Sequence, residues 1–157
     1  MRFPISIFCF ITNFIFVYTD AIESQDAWTN SVVVSDFATL VVFKSGMCSS
    51  CQEFEPEWKK ISDHVKGVRF ASIDIDKPFG MKLARSFGVL DEGIPNIRIF
   101  GGSKPKGIPV FSGEGKAIEI LPKINKAVKA DKSIFYDPET QMYSRLKGLK
   151  KPTEREL

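Results

Sequence analysis

Cysteine and histidine are nearly missing from this chain: its 157 residues include three of the first and one of the second. A zinc site needs about four ligands. Beyond the pair Cys48 and Cys51 only Cys9 and His64 remain, so an intramolecular metal centre is not expected. Charge of one sign is lacking too. With 22 basic against 19 acidic residues the net charge is +3, too mild to argue for nucleic acid. There is no glycine-rich phosphate loop, internal repeat or low-complexity block. A membrane-spanning helix requires about 20 apolar residues, whereas the apolar run over residues 3–17 is shorter and is interrupted by Thr12-Asn13. What the length allows is one domain with a sizeable core.

The informative stretch is residues 40–58, LVVFKSGMCSSCQEFEPEW. An apolar run over residues 40–43 reads as a buried strand, and a small-residue turn leads from it into a helix with two cysteines in its first turn. Cys48 and Cys51 are spaced i and i+3, so on a helix they share one face about 5 to 6 Å apart, inside the window that a disulfide needs. At the helix start Cys48 meets unpaired backbone N–H groups and the positive end of the dipole, both of which favour thiolate. Cysteines so placed have pKa values lowered from about 8.5 to roughly 3.5 to 7.5. A purely structural disulfide closing so small a loop removes little unfolded-state entropy. The pair therefore reads as a reactive dithiol, and His64 as a solvated helix residue.

Residues 1–21 read as a secretory signal peptide. Arg2 precedes the apolar run, which ends at Thr19-Asp20-Ala21, a small-x-small cleavage pattern. Cleavage after Ala21 removes Cys9, leaves no stable membrane insertion, and puts the remaining cysteines in a compartment where disulfides form. The last four residues, EREL, resemble the acidic-Leu endings that return soluble proteins to the endoplasmic reticulum. The expected address is the reticulum lumen, with secretion as the alternative.

In chain order, residues 24–34 suit a short helix capped by Ser24, followed by the strand at 40–44. The motif helix then runs over about 48–65, with Phe54, Trp58, Ile61 and Val65 as its inward stripe and Pro56 inside it. Residues 68–75 read as a strand whose alternation slips at Ala71-Ser72. A second crossover helix begins at Pro78 and stops at Gly88. This strand-helix-strand-helix order calls for right-handed crossovers onto one shared sheet. Residues 97–100 and 109–111 form an antiparallel hairpin, and a closing helix starting at Pro122 carries Ile124, Ala127 and Val128. After Ala130 the pattern fades, and residues 131–157, with Tyr136, Pro138, Tyr143 and a basic stretch over 144–151, read as a solvated extension ending in EREL rather than a binding patch, its aromatics able to pack back on the domain.

Taken together, CSSC after a strand, CQEFEPEWKK with its helix proline, IDID, ARSFGV, Ile94-Pro95 and IRIFGGSKP resemble, in content and order, a thioredoxin-fold domain of the protein disulfide isomerase family. The resemblance covers about residues 24–130. It implies an α/β, thioredoxin-like fold over 22–130, a central mixed β-sheet flanked by helices, here without the usual first strand because cleavage after Ala21 leaves no room for it. It further implies Cys48 as attacking thiol, Cys51 as resolving thiol, and Pro95 as a cis-proline which, with Ile94, faces the motif and holds extended substrate. The chain departs from the family at several places. Met47, Ser49 and Ser50 replace the usual aromatic and Gly-His around the first cysteine. Val42 replaces the buried acid that relays a proton to or from the second cysteine. Gly115, beside Lys116, falls near the position of a late arginine, and residues 90–93 lengthen the loop before Pro95 by two.

The function this implies is a thiol-disulfide oxidoreductase or isomerase acting on cysteine-containing secretory proteins, with glutathione or an upstream oxidase as redox partner and no cofactor. The rival is a thioredoxin-fold chaperone that holds such clients with little turnover; the missing acid and arginine favour it, and the intact cysteine pair opposes it. A third reading, a reductant coupled to a reductase, is disfavoured by the signal peptide.

Overall fold

The computed structural model describes residues 19–146. Cys9, most of the expected signal peptide and the EREL ending lie outside them. The elements run β1 Thr19–Ala21, α1 Gln25–Trp28, β2 Thr39–Lys44, α2 Ser49–His64, β3 Arg69–Asp74, α3 Pro78–Phe87, α4 Val89–Glu92, β4 Asn96–Phe100, β5 Ile108–Ser112, α5 Ala117–Ala130, β6 Ile134–Asp137 and β7 Met142–Arg145. Ser24 caps α1 by accepting from the Ala27 N–H at 3.1 Å. The helix widens after Trp28 into a turn over Thr29–Val33, closed by Val34 N–H donating to the Thr29 carbonyl.

Five strands form one sheet in the order β1-β3-β2-β4-β5. The pairs β1–β3 and β2–β3 are parallel, while β2–β4 and β4–β5 are antiparallel. This is the expected mixed sheet with helices on both faces. Side chains alternate across each strand. Leu40, Val42, Phe70, Ile97 and Ile99 therefore meet α2 and α5 through Phe54, Trp58, Ile61, Ile120 and Ile124. Val41, Phe43, Ala71, Ile73 and Phe100 face Trp28, Leu83 and Phe87. The slip read at Ala71-Ser72 is not a break. With apolar layers packed on both faces of the sheet, polarity need not alternate along β3.

Three expectations are corrected. A first strand is present: β1 pairs with Phe70–Ser72 on the free edge of β3, and Arg69 Nη2 lies 3.2 Å from Asp20 Oδ2. It is built from the three residues that the signal-peptide reading assigned to the leader. The closing helix starts five residues before Pro122. Proline leaves the Ile118 carbonyl without a helical donor, tolerable because Ile118 is exposed, and Ala117 N–H is taken by Glu57 Oε2 at 2.8 Å. Finally, residues 131–146 are not a solvated extension. The strands β6 and β7 form a hairpin that buries Ile134 in the core, places Tyr136 edge-on to Tyr143, and bonds Tyr143 O to Ala38 N–H at 2.7 Å.

Helix α3 ends as expected at Gly88, whose φ of 75° lies in the left-handed region. The residues expected to lengthen the next loop form α4 instead of a slack insertion. Glu92 reaches from it to Arg98, a side chain 3% exposed, at 2.6 Å, and accepts from Asn96 Nδ2 at 2.9 Å.

Candidate active site

Strand β2 ends at Lys44 and hands the chain to a three-residue turn before the cysteines. That turn is clamped from the residues that follow β3: Asp76 accepts from Ser45 Oγ at 2.7 Å and from Gly46 N–H at 2.8 Å. Ser45 Oγ in turn accepts from Met47 N–H at 3.0 Å, and Gln52 Nε2 donates back to the Gly46 carbonyl at 2.7 Å. Met47 is 86% exposed. Asp76 is the last residue of the IDID segment, which the sequence reading noted without assigning it a role. Thirty positions separate it from the turn that it holds, and no local pattern reveals such a partner.

Cys48 is the cap of α2 rather than a member of its first turn, with φ −96° and ψ 113°. Its Sγ accepts from the Cys51 N–H at 3.2 Å, as a serine cap oxygen would. Both cysteines are free thiols, Cys48 partly exposed and Cys51 buried. Burial pushes the Cys51 thiol up to about 11, helped by its hydrogen bond with Cys48 and opposed by the Ser45 backbone and by the charge of Lys44. The two thiols thus have one face open to an incoming disulfide and one closed. Ser49 is exposed, while Ser50 donates to Glu114 Oε1 at 2.9 Å, tying the motif to the loop before α5.

Pro95 reaches the same end of the sheet. Asn96 pairs with Phe43, so the cis Ile94–Pro95 bond lies level with Lys44 and the start of the turn. The Pro95 carbonyl is occupied by Gly113 N–H at 2.9 Å. The free backbone groups belong to Ile94, which makes no backbone hydrogen bond among the described residues.

The departures from the family pattern have structural counterparts. Val42 is 1% exposed and packs with Phe54 and Trp58, so the strand beneath the pair supplies no acid. A β-carbon on Gly115 would meet Phe111 Cζ at 2.5 Å, and that ring stacks on Phe54 with centroids 6.2 Å apart. No arginine fits at Gly115 unless Phe111 moves. Beside Ser50 lies a cleft of about 400 Å³ lined by Glu53, Phe54, Glu57, Glu114, Gly115 and Lys116, among others. Glu57 is already committed: the Ala117 N–H, and then Lys60, hold its carboxyl below the usual range. His64 is exposed and, among the described residues, its ring bonds to the Lys60 carbonyl of its own helix.

Comparison with known proteins agrees with this fold. The family model described as Thioredoxin matches residues 20–126. Protein disulfide-isomerase A6 of Homo sapiens is 37% identical over 87 residues, covering 54% of this chain and 19% of that protein. Protein disulfide-isomerase 2-3 of Arabidopsis thaliana is 31% identical over 126 residues, covering 79% of this chain and 25% of that protein. The chain therefore spans a quarter or less of the length of these relatives. Among solved structures, Malassezia sympodialis thioredoxin (Mala s 13) superposes with a TM-score of 0.55 at 22% identity, over 70% of this chain and 90% of that one. At that identity the likeness bears on the fold.

Proposed function

Because this chain belongs to the thioredoxin family, as a thioredoxin-like member of the protein disulfide isomerase family, we propose that it forms, reduces or rearranges disulfides of secretory proteins through Cys48 and Cys51. The observation that carries this reading is the asymmetry of the pair: Cys48 caps a helix and is partly exposed, and Cys51 lies beneath it. Cys48 thiolate attacks one sulfur of a substrate disulfide, whose S–S bond breaks as the other sulfur leaves as a thiolate, giving a mixed disulfide. Cys51 then attacks Cys48 Sγ, the substrate leaves as a thiolate, and the pair is left oxidised. The backbone of Ile94, beside Pro95, pairs with an extended substrate segment by strand addition. Met47, Ser49 and Ser50 form the rim that the substrate crosses. The clients are cysteine-containing secretory proteins; reduced glutathione resets the pair after it has reduced a substrate, an upstream oxidase resets it after it has oxidised one, and no cofactor is used. The address is the reticulum lumen, with secretion as the alternative. A tagged full-length copy held in the reticulum, and a copy lacking the last four residues secreted, support that address; cytosolic residence of the full chain overturns it.

The activity test is equilibration of the purified domain with glutathione buffers, followed by insulin-reduction and scrambled-ribonuclease assays. Turnover in either assay supports the reading, and a pair that never exchanges overturns it. A chaperone with little redox turnover is the second reading, favoured by Val42. Without an acid at that position the buried Cys51 thiol loses its proton slowly, and mixed disulfides accumulate. Val42→Glu separates the two readings: it speeds the second attack and raises isomerase turnover while costing several kcal/mol for burying a carboxyl. If Val42→Glu folds and changes nothing because the wild type already completes the second attack quickly, the chaperone reading loses its main support.

A further inference from the structure

The second attack requires Cys51 to lose a proton from a site that strongly favours the neutral thiol, and Val42 cannot accept it. Lys44 follows Val42 by two positions and so stands on the same face of β2. Its ammonium crosses to α2 and pairs with Glu55 Oε1. Glu55 follows Cys51 by four residues, one turn along the same side of the helix. The charge of Lys44 reaches the buried Cys51 thiol, and it meets a carboxylate placed one turn further along α2; both side chains keep contact with solvent, at 32% and 49% exposed.

Most of the other charged groups at this end are committed elsewhere, while Glu53, two residues past Cys51, is exposed and lines the cleft beside Ser50. Both oxygens of Asp76 are taken by the turn, Asp74 accepts from Asp76 N–H, Glu114 holds Ser50, and Glu57 holds the start of α5. Cys48, as a thiolate, opposes ionisation of Cys51, but in the mixed disulfide it carries no charge. The chain at Ile94, Pro95 and Asn96 brings no titratable group to the site.

We propose that the Lys44–Glu55 pair is the proton acceptor for Cys51 in this chain, Glu55 taking the thiol proton while Lys44 exchanges its carboxylate partner for the thiolate so formed. The inference rests on the oxidoreductase reading above. The positive charge stays in place and the negative charge moves from Glu55 to Cys51 Sγ. That thiolate attacks Cys48 Sγ, a new S–S bond forms as the Cys48–substrate bond breaks, and the departing substrate thiolate is reprotonated by Glu55 or by water. Cys48 and Cys51 are oxidised and the substrate sulfur is reduced. No outside reactant is needed. Glu55 is then the base, and Lys44 a positioning residue that acts through charge.

The test follows the second attack alone. Reduced protein is mixed with oxidised glutathione, quenched with acid at intervals, and the Cys48–glutathione adduct is counted by mass spectrometry from pH 6 to 10. Glu55→Gln is expected to slow decay of the adduct about tenfold or more near neutral pH and to shift its pH profile upward, with adduct formation unchanged. Lys44→Met is expected to raise the Cys51 titration, read by thiolate absorbance, by about one unit, a tenfold loss of thiolate below the midpoint. Lys44→Arg restores both readouts. Lys59→Met, which breaks the exposed Lys59–Asp63 pair on the same helix, changes neither. Wild-type decay and pH profile in Glu55→Gln overturn the proposal, as does an unmoved Cys51 titration in Lys44→Met. If wild type forms no adduct, the oxidoreductase reading has failed instead, and the titration of Cys51 in Lys44→Met still decides whether Lys44 sets that thiol.

Discussion

The two ends of β2 are opposites. At its start the backbone is tied down. Ala38 is fully buried, its N–H donates to the Tyr143 carbonyl, Arg145 N–H donates to the Asp36 carbonyl at 2.7 Å, and the buried Arg145 side chain donates through Nε to the Gly101 carbonyl at 3.0 Å. Burial comes at a cost, because desolvation lowers the Arg145 pKa, an effect that Asp36 opposes. At its end the strand opens onto an exposed Met47, a half-covered thiol and an Ile94 that makes no backbone–backbone hydrogen bond among the described residues. The sealed end supplies rigidity and the open end supplies unpaired chemistry, and α2 and the sheet between them carry the one to the other. A reactive pair needs unsatisfied groups, and a fold tolerates them only where the rest of the element is held.

The comparison breaks hardest at the open end. Cys48→Ser is expected to abolish disulfide exchange altogether while leaving the melting temperature within a degree or so of wild type, since the serine hydroxyl retains the cap. Insulin reduction and thermal unfolding monitored together check this. A Cys48→Ser variant that still turns over would move the nucleophile elsewhere. At the sealed end the pattern reverses. Ile134→Ala opens a cavity in the core beneath α5 and is expected to cost about 2 to 4 kcal/mol, with the rate of Cys48 alkylation unchanged in the folded protein. Urea unfolding measures the first quantity, and iodoacetamide labelling below the transition measures the second.

That reversal also explains what was legible in the sequence. The dithiol, its strand and its helix were readable because Cys48, Cys51, Phe54, Trp58 and Ile61 are local to one another and share one period. The hairpin was missed because IFYD and MYSR are four residues each and carry polar groups whose partners, Asp36, Ala38 and Gly67, lie 75 or more residues earlier in the chain. Its turn did leave a signal in Asp137-Pro138. The strand β1 was missed because its three residues also fit a cleavage pattern, and Pro122 was misplaced because a proline inside a helix looks like a helix start. Glu55 and Lys44 were each unremarkable in sequence; only the crossing of β2 and α2 makes them a pair.

A smaller effect sharpens the contrast within the pair itself. Cys51 titrates near 11 against an ordinary 9.0, chiefly because it is buried. Between those values the unfolded chain releases the proton and the folded chain keeps it, so the folded state binds more protons and stability falls as pH rises. Two units correspond to about 2 to 3 kcal/mol at most, fully present below pH 9 and lost above 11. Urea melts of the reduced protein at pH 8 and pH 10.5 should differ by more than those of Cys51→Ala, whose remaining groups titrate alike. Equal differences would mean that Cys51 ionises as freely in the fold as outside it. The same inequality predicts that iodoacetamide labels Cys48 well before Cys51 near neutral pH.

The smallest expected effect belongs to Asp76, which belongs to the open end yet behaves as a clamp. Its two oxygens hold Ser45 Oγ and Gly46 N–H, and through Ser45 the Met47 N–H as well, so three successive residues before Cys48 depend on one carboxylate. Asp76 and Gly46 are both exposed, and water can replace a lost partner at Gly46. Asp76→Ala should therefore cost only about 1 to 2 kcal/mol. Its kinetic effect should be distinct from its stability effect, because a looser turn spreads the directions from which Cys48 Sγ meets a disulfide without altering the burial of Cys51. Adduct formation with oxidised glutathione should slow a few-fold while adduct decay stays at the wild-type rate. Asp76→Asn retains an acceptor for Ser45 Oγ and should recover part of the loss. A variant that slows decay and formation equally would show that the clamp reaches past the turn into α2, and the open end would then be held as firmly as the sealed one.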